Sequence, residues 1–228
     1  MRNLPKFYVL LCGIFLLSCG EKTNQNERSS TANETENSID IATENGLIMF
    51  YGTSLTAGLG LEQEQAYPAL IQKKIDSLDL PYQVVNAGLS GETTAGGRSR
   101  LDWVLNQEVD VFVLELGAND GLRGVPVAEA RKNLQAIIDG VKENNPDVTI
   151  ILTGMQMPPN MGRDYTEDFS NMFPELAEEN DILLIPFLLE NVGGIPELNQ
   201  SDGIHPTAEG QKIMANTVWE VLKPELEK

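Results

Sequence analysis

Cysteine is absent after residue 19, and histidine occurs once in 228 residues. The first scarcity excludes a disulfide scaffold, and the two together exclude a zinc site built from Cys and His. A lone histidine also gives any imidazole chemistry a single address, His205. Basic residues are scarce too, with 16 Lys and Arg against 34 Asp and Glu and a net charge of −18. A surface of that sign repels phosphate backbones, which excludes nucleic acid as a partner. What the chain does have is 41% hydrophobic residues. That is core material for one domain plus appendages.

The appendage is at the front. Arg2 and Lys6 flank the start of an apolar run, Phe7 to Leu17, too short to span a bilayer comfortably and shaped like a secretory h-region. An ordinary signal cut after a small residue would look much the same. Leu16-Leu17-Ser18-Cys19, however, looks like a bacterial lipobox, where cleavage precedes a cysteine that becomes lipidated. Gly20 to about Asn37 is rich in Asn, Glu, Thr and Ser and has no aromatic residue, a composition that cannot bury a core. The expectation is a signal over 1–18, a lipidated Cys19 opening a polar linker over 19–44, and a folded domain over 45–228. The protein would then be membrane-anchored and face the periplasm or cell surface.

From about Gly46 onward, short apolar runs alternate with helical periods. Leu47 to Tyr51 is continuously apolar, as a strand covered on both faces must be. Gln83–Asn86, Val109–Leu116, Val148–Leu152 and Ile182–Ile185 are further strand candidates. Between them lie helical stretches: Pro68–Leu78 with Leu70, Ile71, Ile75 and Leu78 in period, Leu101–Leu105, a helix starting at Pro126, about Tyr165–Glu179, and Pro206–Leu222. Regular alternation without a repeat predicts an α/β domain, three layers α/β/α on a parallel sheet of about five strands, flavodoxin-like in order.

Such sheets carry their chemistry beyond the carboxyl ends of the strands. Those loops contain Gly52-Thr53-Ser54-Leu55, Asn86 to Thr93, Gly117-Ala118-Asn119-Asp120-Gly121, and Asp202-Gly203-Ile204-His205. Serine is a poor nucleophile unless a base takes its proton, and the base needs an acid to fix its tautomer. Ser54, His205 and Asp202 supply that set, the last two at a spacing that can bring a carboxylate under an imidazole. Each has a plain alternative: Ser54 as a helix cap, His205 as a turn residue before Pro206, Asp202 as an Asx-turn former. Ser90 is a rival nucleophile lacking a strand-to-helix setting. Glu115, a carboxylate inside the third strand, is expected to anchor neighbouring loop amides. There is no Walker loop, no dinucleotide fingerprint and no G-x-S-x-G elbow.

Taken together, Gly52-Thr53-Ser54-Leu55, Gly91, Gly117-Ala118-Asn119-Asp120 and Asp202-Gly203-Ile204-His205 resemble the four signature blocks of the SGNH hydrolases, also called GDSL esterases/lipases. The likeness covers about Gly46 to Leu222. Asn119 to Gly124 and Pro186-Phe187 resemble the bacterial thioesterase I/lysophospholipase L1 and arylesterase branch. The resemblance implies Ser54 as nucleophile, His205 as base and Asp202 as its acid. It also implies an oxyanion hole from the amides of Ser54 and Gly91 and the side chain of Asn119, with no metal and no cofactor. The family has Asp immediately before the serine, whereas this chain has Thr53, whose hydroxyl can still make a local hydrogen bond. That departure bears on rate rather than reaction class.

The expected reaction is hydrolysis of acyl or aryl esters and thioesters, lysophospholipids included, by a monomer. Two alternatives stand beside it: removal of acetyl groups from extracytoplasmic glycans, and a catalytically weak lipoprotein binding acyl chains or glycans. Aromatic residues are 6% of the chain and do not cluster in the rim loops, which favours acyl or aryl esters over sugars. Leu122 and Val125, directly after Asn119, are candidate walls of an acyl pocket, or else pack against the helix starting at Pro126.

Overall fold

The computed structural model describes residues 45–228. The expected signal, lipobox cysteine and polar linker lie outside the described residues. Five strands form one sheet: β1 (Gly46–Gly52), β2 (Tyr82–Asn86), β3 (Val111–Glu115), β4 (Thr149–Thr153) and β5 (Leu183–Ile185). Every pairing is parallel, and the order is β2-β1-β3-β4-β5.

That order explains which helices share a face. The chain moves one way from β1 to β2, then jumps back across β1 to β3 and continues to β5. Right-handed crossovers therefore put α2 (Tyr67–Asp76) on one face and α3 (Thr94–Val104), α5 (Val127–Asn144) and α6 (Arg163–Asn180) on the other. The last helix, α7 (Ala208–Leu226), packs beside α2, while α3 packs on α5 and α5 on α6. With both faces covered, β1 and β3 have no polar side. Ile48 to Tyr51 and Val111 to Leu114 are all buried. Each such side chain contributes about 1.5–3 kcal/mol by leaving water.

The direction of the sheet reverses at β1 and β3, and the crevice beyond their carboxyl ends is where such folds bind ligands. Two short helices lie there, α1 (Ser54–Ala57) after β1 and α4 (Ala118–Leu122) after β3. Neither is long enough to show a period in sequence. Two other boundaries differ from expectation. Helix α3 starts at Thr94, because the Thr93 hydroxyl caps it by accepting from the Gly96 amide; the glycine pair Gly96-Gly97 hides its first turn from propensity. Leu78 lies past the end of α2 and is exposed, since the chain turns at Asp79 (φ 52°) and sends Leu80 inward instead.

Candidate active site

Ser54 is the first residue of α1 and is nearly buried. Thr53 precedes it in extended conformation and caps the helix, its Oγ1 accepting from the Leu55 amide at 3.4 Å. The turn is tied down from three sides. From β3, Glu115 accepts from the Thr53 amide at 2.8 Å and the Thr56 amide at 3.4 Å. From α7, the buried Gln211 donates to the Leu55 carbonyl at 3.2 Å and accepts from the Tyr67 amide at 2.8 Å. Asn86 at the end of β2 donates to the Thr56 carbonyl at 2.8 Å.

His205 reaches the same point from the loop before α7. Its Nε2 lies 2.8 Å from Ser54 Oγ, and its Nδ1 lies 2.6 Å from Asp202 Oδ2. The other Asp202 oxygen accepts the amides of Ile204 and His205, both at 3.0 Å, closing an Asx turn. The hydrogen bonds from the His205 ring, then from its amide and that of Ile204, hold the Asp202 carboxyl at about 2. A carboxylate so held only accepts, so the imidazole proton sits on Nδ1 and the Nε2 lone pair faces the Ser54 hydroxyl. The three side chains therefore form a chain along which Ser54 can give up its proton.

Asn119 lines the cavity that opens at this point, whereas Gly91 is not among the lining residues and is joined to it through the neighbouring loop. Gly91 has φ +82°, a conformation an L side chain would strain. Its carbonyl accepts from Arg123 Nη2 at 3.0 Å, while Asn119 Nδ2 donates to the Glu92 carbonyl at 2.9 Å. A bidentate Arg100–Glu92 pair fixes the same loop, and Arg100 also donates to the Ala87 carbonyl. Asp120, buried, accepts both the amide and the hydroxyl of Thr94 at 2.8 and 2.6 Å. These bonds lock the two loops to each other.

A cavity of about 420 Å³ opens here, lined by Ser54, Asn119 and His205 together with Leu122, Met155, Met157, Pro158, Phe187 and Leu189. Of the two candidate wall residues, Leu122 lines it. Val125 does not: its amide bonds to the Asp120 carbonyl, its own carbonyl accepts from Tyr165, and its half-buried side chain stands at the approach to α5. Ser90 is exposed in a turn and is not part of the lining. Met155, Met157 and Leu189 escaped the sequence reading, because apolar residues after β4 and β5 look like ordinary core until the loops are folded over the cleft. Gln211 escaped it as well, being a lone polar residue in a helical period.

A family model described as the GDSL-like lipase/acylhydrolase family matches residues 50–213. Esterase TesA of Pseudomonas aeruginosa is 41% identical over 178 residues, 78% of this chain and 88% of that protein. Thioesterase 1/protease 1/lysophospholipase L1 of Escherichia coli K12 is 39% identical, covering 78% of this chain and 83% of that one. The crystal structure of a psychrotrophic esterase, EstA from Pseudoalteromonas sp., inhibited by monoethylphosphonate, is 32% identical with a TM-score of 0.75, spanning 81% of this chain and all of that one (100%).

Proposed function

The chain belongs to the GDSL-like lipase/acylhydrolase family, and we propose that it works by a serine mechanism in which Ser54 is the nucleophile, His205 the base and Asp202 the orienting acid. It is an ester hydrolase, like the esterases and thioesterases it resembles. Its substrates are acyl or aryl esters and thioesters, lysophospholipids among them. The observation that carries this reading is the unbroken chain from Asp202 through His205 to Ser54, at 2.6 and 2.8 Å.

In the first step Ser54 Oγ attacks the carbonyl carbon while its proton passes to His205 Nε2. The carbonyl oxygen gathers negative charge, for which the Ser54 and Gly91 amides and the Asn119 side chain are the candidate donors. His205 then gives its proton to the leaving alcohol or thiol, and the acyl group stays on Ser54. Water, activated by the same nitrogen, cleaves the acyl-enzyme and releases the carboxylic acid. His205 relays both protons, first from Ser54 to the leaving group and then from water back to Ser54 Oγ, and this sequence requires no metal or cofactor.

The cleft supports the choice of substrate. Its wall of Met, Leu, Pro and Phe side chains can take an acyl or aryl group out of water. The chain of residues is complete within one copy, so a monomer would be competent. Fluorophosphonate labelling followed by site mapping tests the mechanism. A label on Ser54 that follows loss of aryl-ester hydrolysis supports it, and a label on Ser90 overturns it.

Residues 1–44 fit a signal over 1–18 and a lipidated Cys19 followed by a polar tether. Among the described residues no helix is long and apolar enough to cross a membrane. Firm attachment would rest on the several acyl chains of a mature lipoprotein, since a single chain binds only marginally. Cys19→Ala should release the protein from the membrane fraction of its native host; a variant still retained there refutes the anchor.

A further inference from the structure

We propose that Glu115 is a positioning residue for the nucleophile, its buried carboxylate holding the Thr53–Thr56 turn so that Ser54 Oγ meets His205. The inference rests on the reading of Ser54 as nucleophile. Nothing in the reaction itself uses Glu115, yet it is a carboxylate only 1% exposed at the end of the central strand β3. Its partners are the amides of Thr53 and Thr56 and the hydroxyls of the same two threonines, none of them cationic. Thr53 Oγ1 lies 3.0 Å from both carboxylate oxygens, and Thr56 Oγ1 lies 2.8 Å from Oε2. Because Thr56 spends its hydrogen on Glu115, the Tyr67 hydroxyl must donate to Thr56, at 2.8 Å. Four donors from one helical turn thus converge on one side chain.

The room is made for it. A Cβ on Gly52 would stand 2.6 Å from Glu115 Oε2 and 2.2 Å from Thr56 Oγ1, so only glycine lets β1 pass this close. Thr53 completes the arrangement, since a threonine is neutral and can donate. An aspartate there, the residue the family pattern carries, would set a second carboxylate against the first.

Burial pushes the Glu115 carboxyl up to about 7, against the pull of the threonine amides and hydroxyls. Among the described residues, the other titratable group bonded into this cluster is Tyr67 on α2, which burial and then the Glu115 charge hold well above 10. A proton added to Glu115 would point a donor at oxygens that are already donating. One hydroxyl would have to turn away, loosening the turn that carries Ser54. The carboxylate is therefore the form that holds Ser54 in place.

Glu115→Gln keeps the shape and removes the charge. Against a neutral aryl ester we expect kcat to fall about 10- to 100-fold with KM little changed, the size of loss that a displacement of the reacting atom produces. The wild-type acid limb should require two ionisations and that of the variant one. Wild-type kcat and an unchanged number of ionisations in Glu115→Gln overturn the inference. If Glu115→Gln does not fold, Thr56→Val and Thr56→Ser decide, since the Thr56 hydroxyl bonds Glu115 and caps nothing: the valine should lose kcat about 10-fold, and the serine, which keeps the hydroxyl, should stay near wild type. Equal activity in the two would overturn the proposal. Ser54→Ala is run alongside, because full activity there refutes the nucleophile itself, whereas an inactive Ser54→Ala with an unaffected Glu115→Gln refutes only the positioning role.

Discussion

Ser54 and His205 are 2.8 Å apart but are carried by unlike pieces of the molecule. Ser54 stands at the centre of the sheet, on a turn whose ties come from residues 30 and more positions away: Asn86 on β2, Glu115 on β3 and Gln211 on α7. His205 sits on a loop whose geometry is almost wholly local. Asp202 makes all three of its bonds within three residues, and its side chain is 45% exposed. One carboxylate is deep and has its proton affinity raised by burial; the other is open to water and has it lowered by the groups it holds. Reactive residues thus need not share a kind of support, and each support fails in its own way.

The largest effects should come from cutting the chain itself. Ser54→Ala and His205→Ala should each cost about 10⁶ in turnover, and Asp202→Asn about 10⁴, because the local turn still presents the imidazole to Ser54. Steady-state kinetics on an aryl ester check the order. Asp202→Asn as damaging as His205→Ala would mean that the exposed side is no more forgiving than the buried one. Next in size is Asn119→Ala, expected to lower kcat about 10²–10³-fold if its side chain supports the oxyanion. A loss confined to KM would leave Asn119 as a brace for the Glu92 carbonyl alone.

The two carboxylates should also differ in how they bind stability to pH. Folded Glu115 keeps its proton up to about 7, whereas its ordinary value is 4.5. Between those values the folded state holds the extra proton, so stability is lost as pH rises through that window. At 1.36 kcal/mol per unit the loss is about 3 kcal/mol in all. Glu115→Gln does not ionise and should gain on wild type by up to that amount between pH 5 and pH 8 in urea unfolding. Asp202 has the opposite sign: its contribution is present above its ordinary 3.8 and is lost only as pH falls through about 2. Asp202→Asn should therefore differ from wild type in its slope between about pH 2 and pH 4, where Asp202 itself titrates.

The same contrast explains what could be read without coordinates. The Asp202–His205 pair is legible because a three-residue spacing encodes its geometry, and the sheet order follows from apolar runs separated by helical periods. Leu47 to Tyr51 announces a doubly covered strand by composition alone. The ties on Ser54 are another matter. Glu115 is visible as a misplaced carboxylate in an apolar strand, but its partnership with Thr53 and Thr56 depends on the β1–β3 register, Gly52 opposite Glu115. Gln211 is a polar residue in a helix until α7 is folded against α1. The short helices α1 and α4 carry too few residues for a period, so their loops read as turns.

The smallest predicted effect concerns the cleft wall, where the contrast between buried and exposed supports becomes a question of substrate. Leu122 is 43% exposed, belongs to the five-residue helix α4, and lines the cavity beside Asn119. Val125, three residues on, is not part of its lining. If acyl chains lie along this wall, each methylene that Leu122 shields contributes about 0.8 kcal/mol, close to fourfold in rate. Leu122→Ala should then flatten the rise of kcat/KM with chain length by about that factor per methylene in contact, while acetyl esters react as before. Val125→Ala should leave the length profile unchanged. A series of p-nitrophenyl esters measured on both variants separates the cases. Parallel profiles for Leu122→Ala and wild type would move the chain to the other wall, along Met155, Met157 and Phe187, where the side chains are held by β4 and β5 rather than by a rim helix.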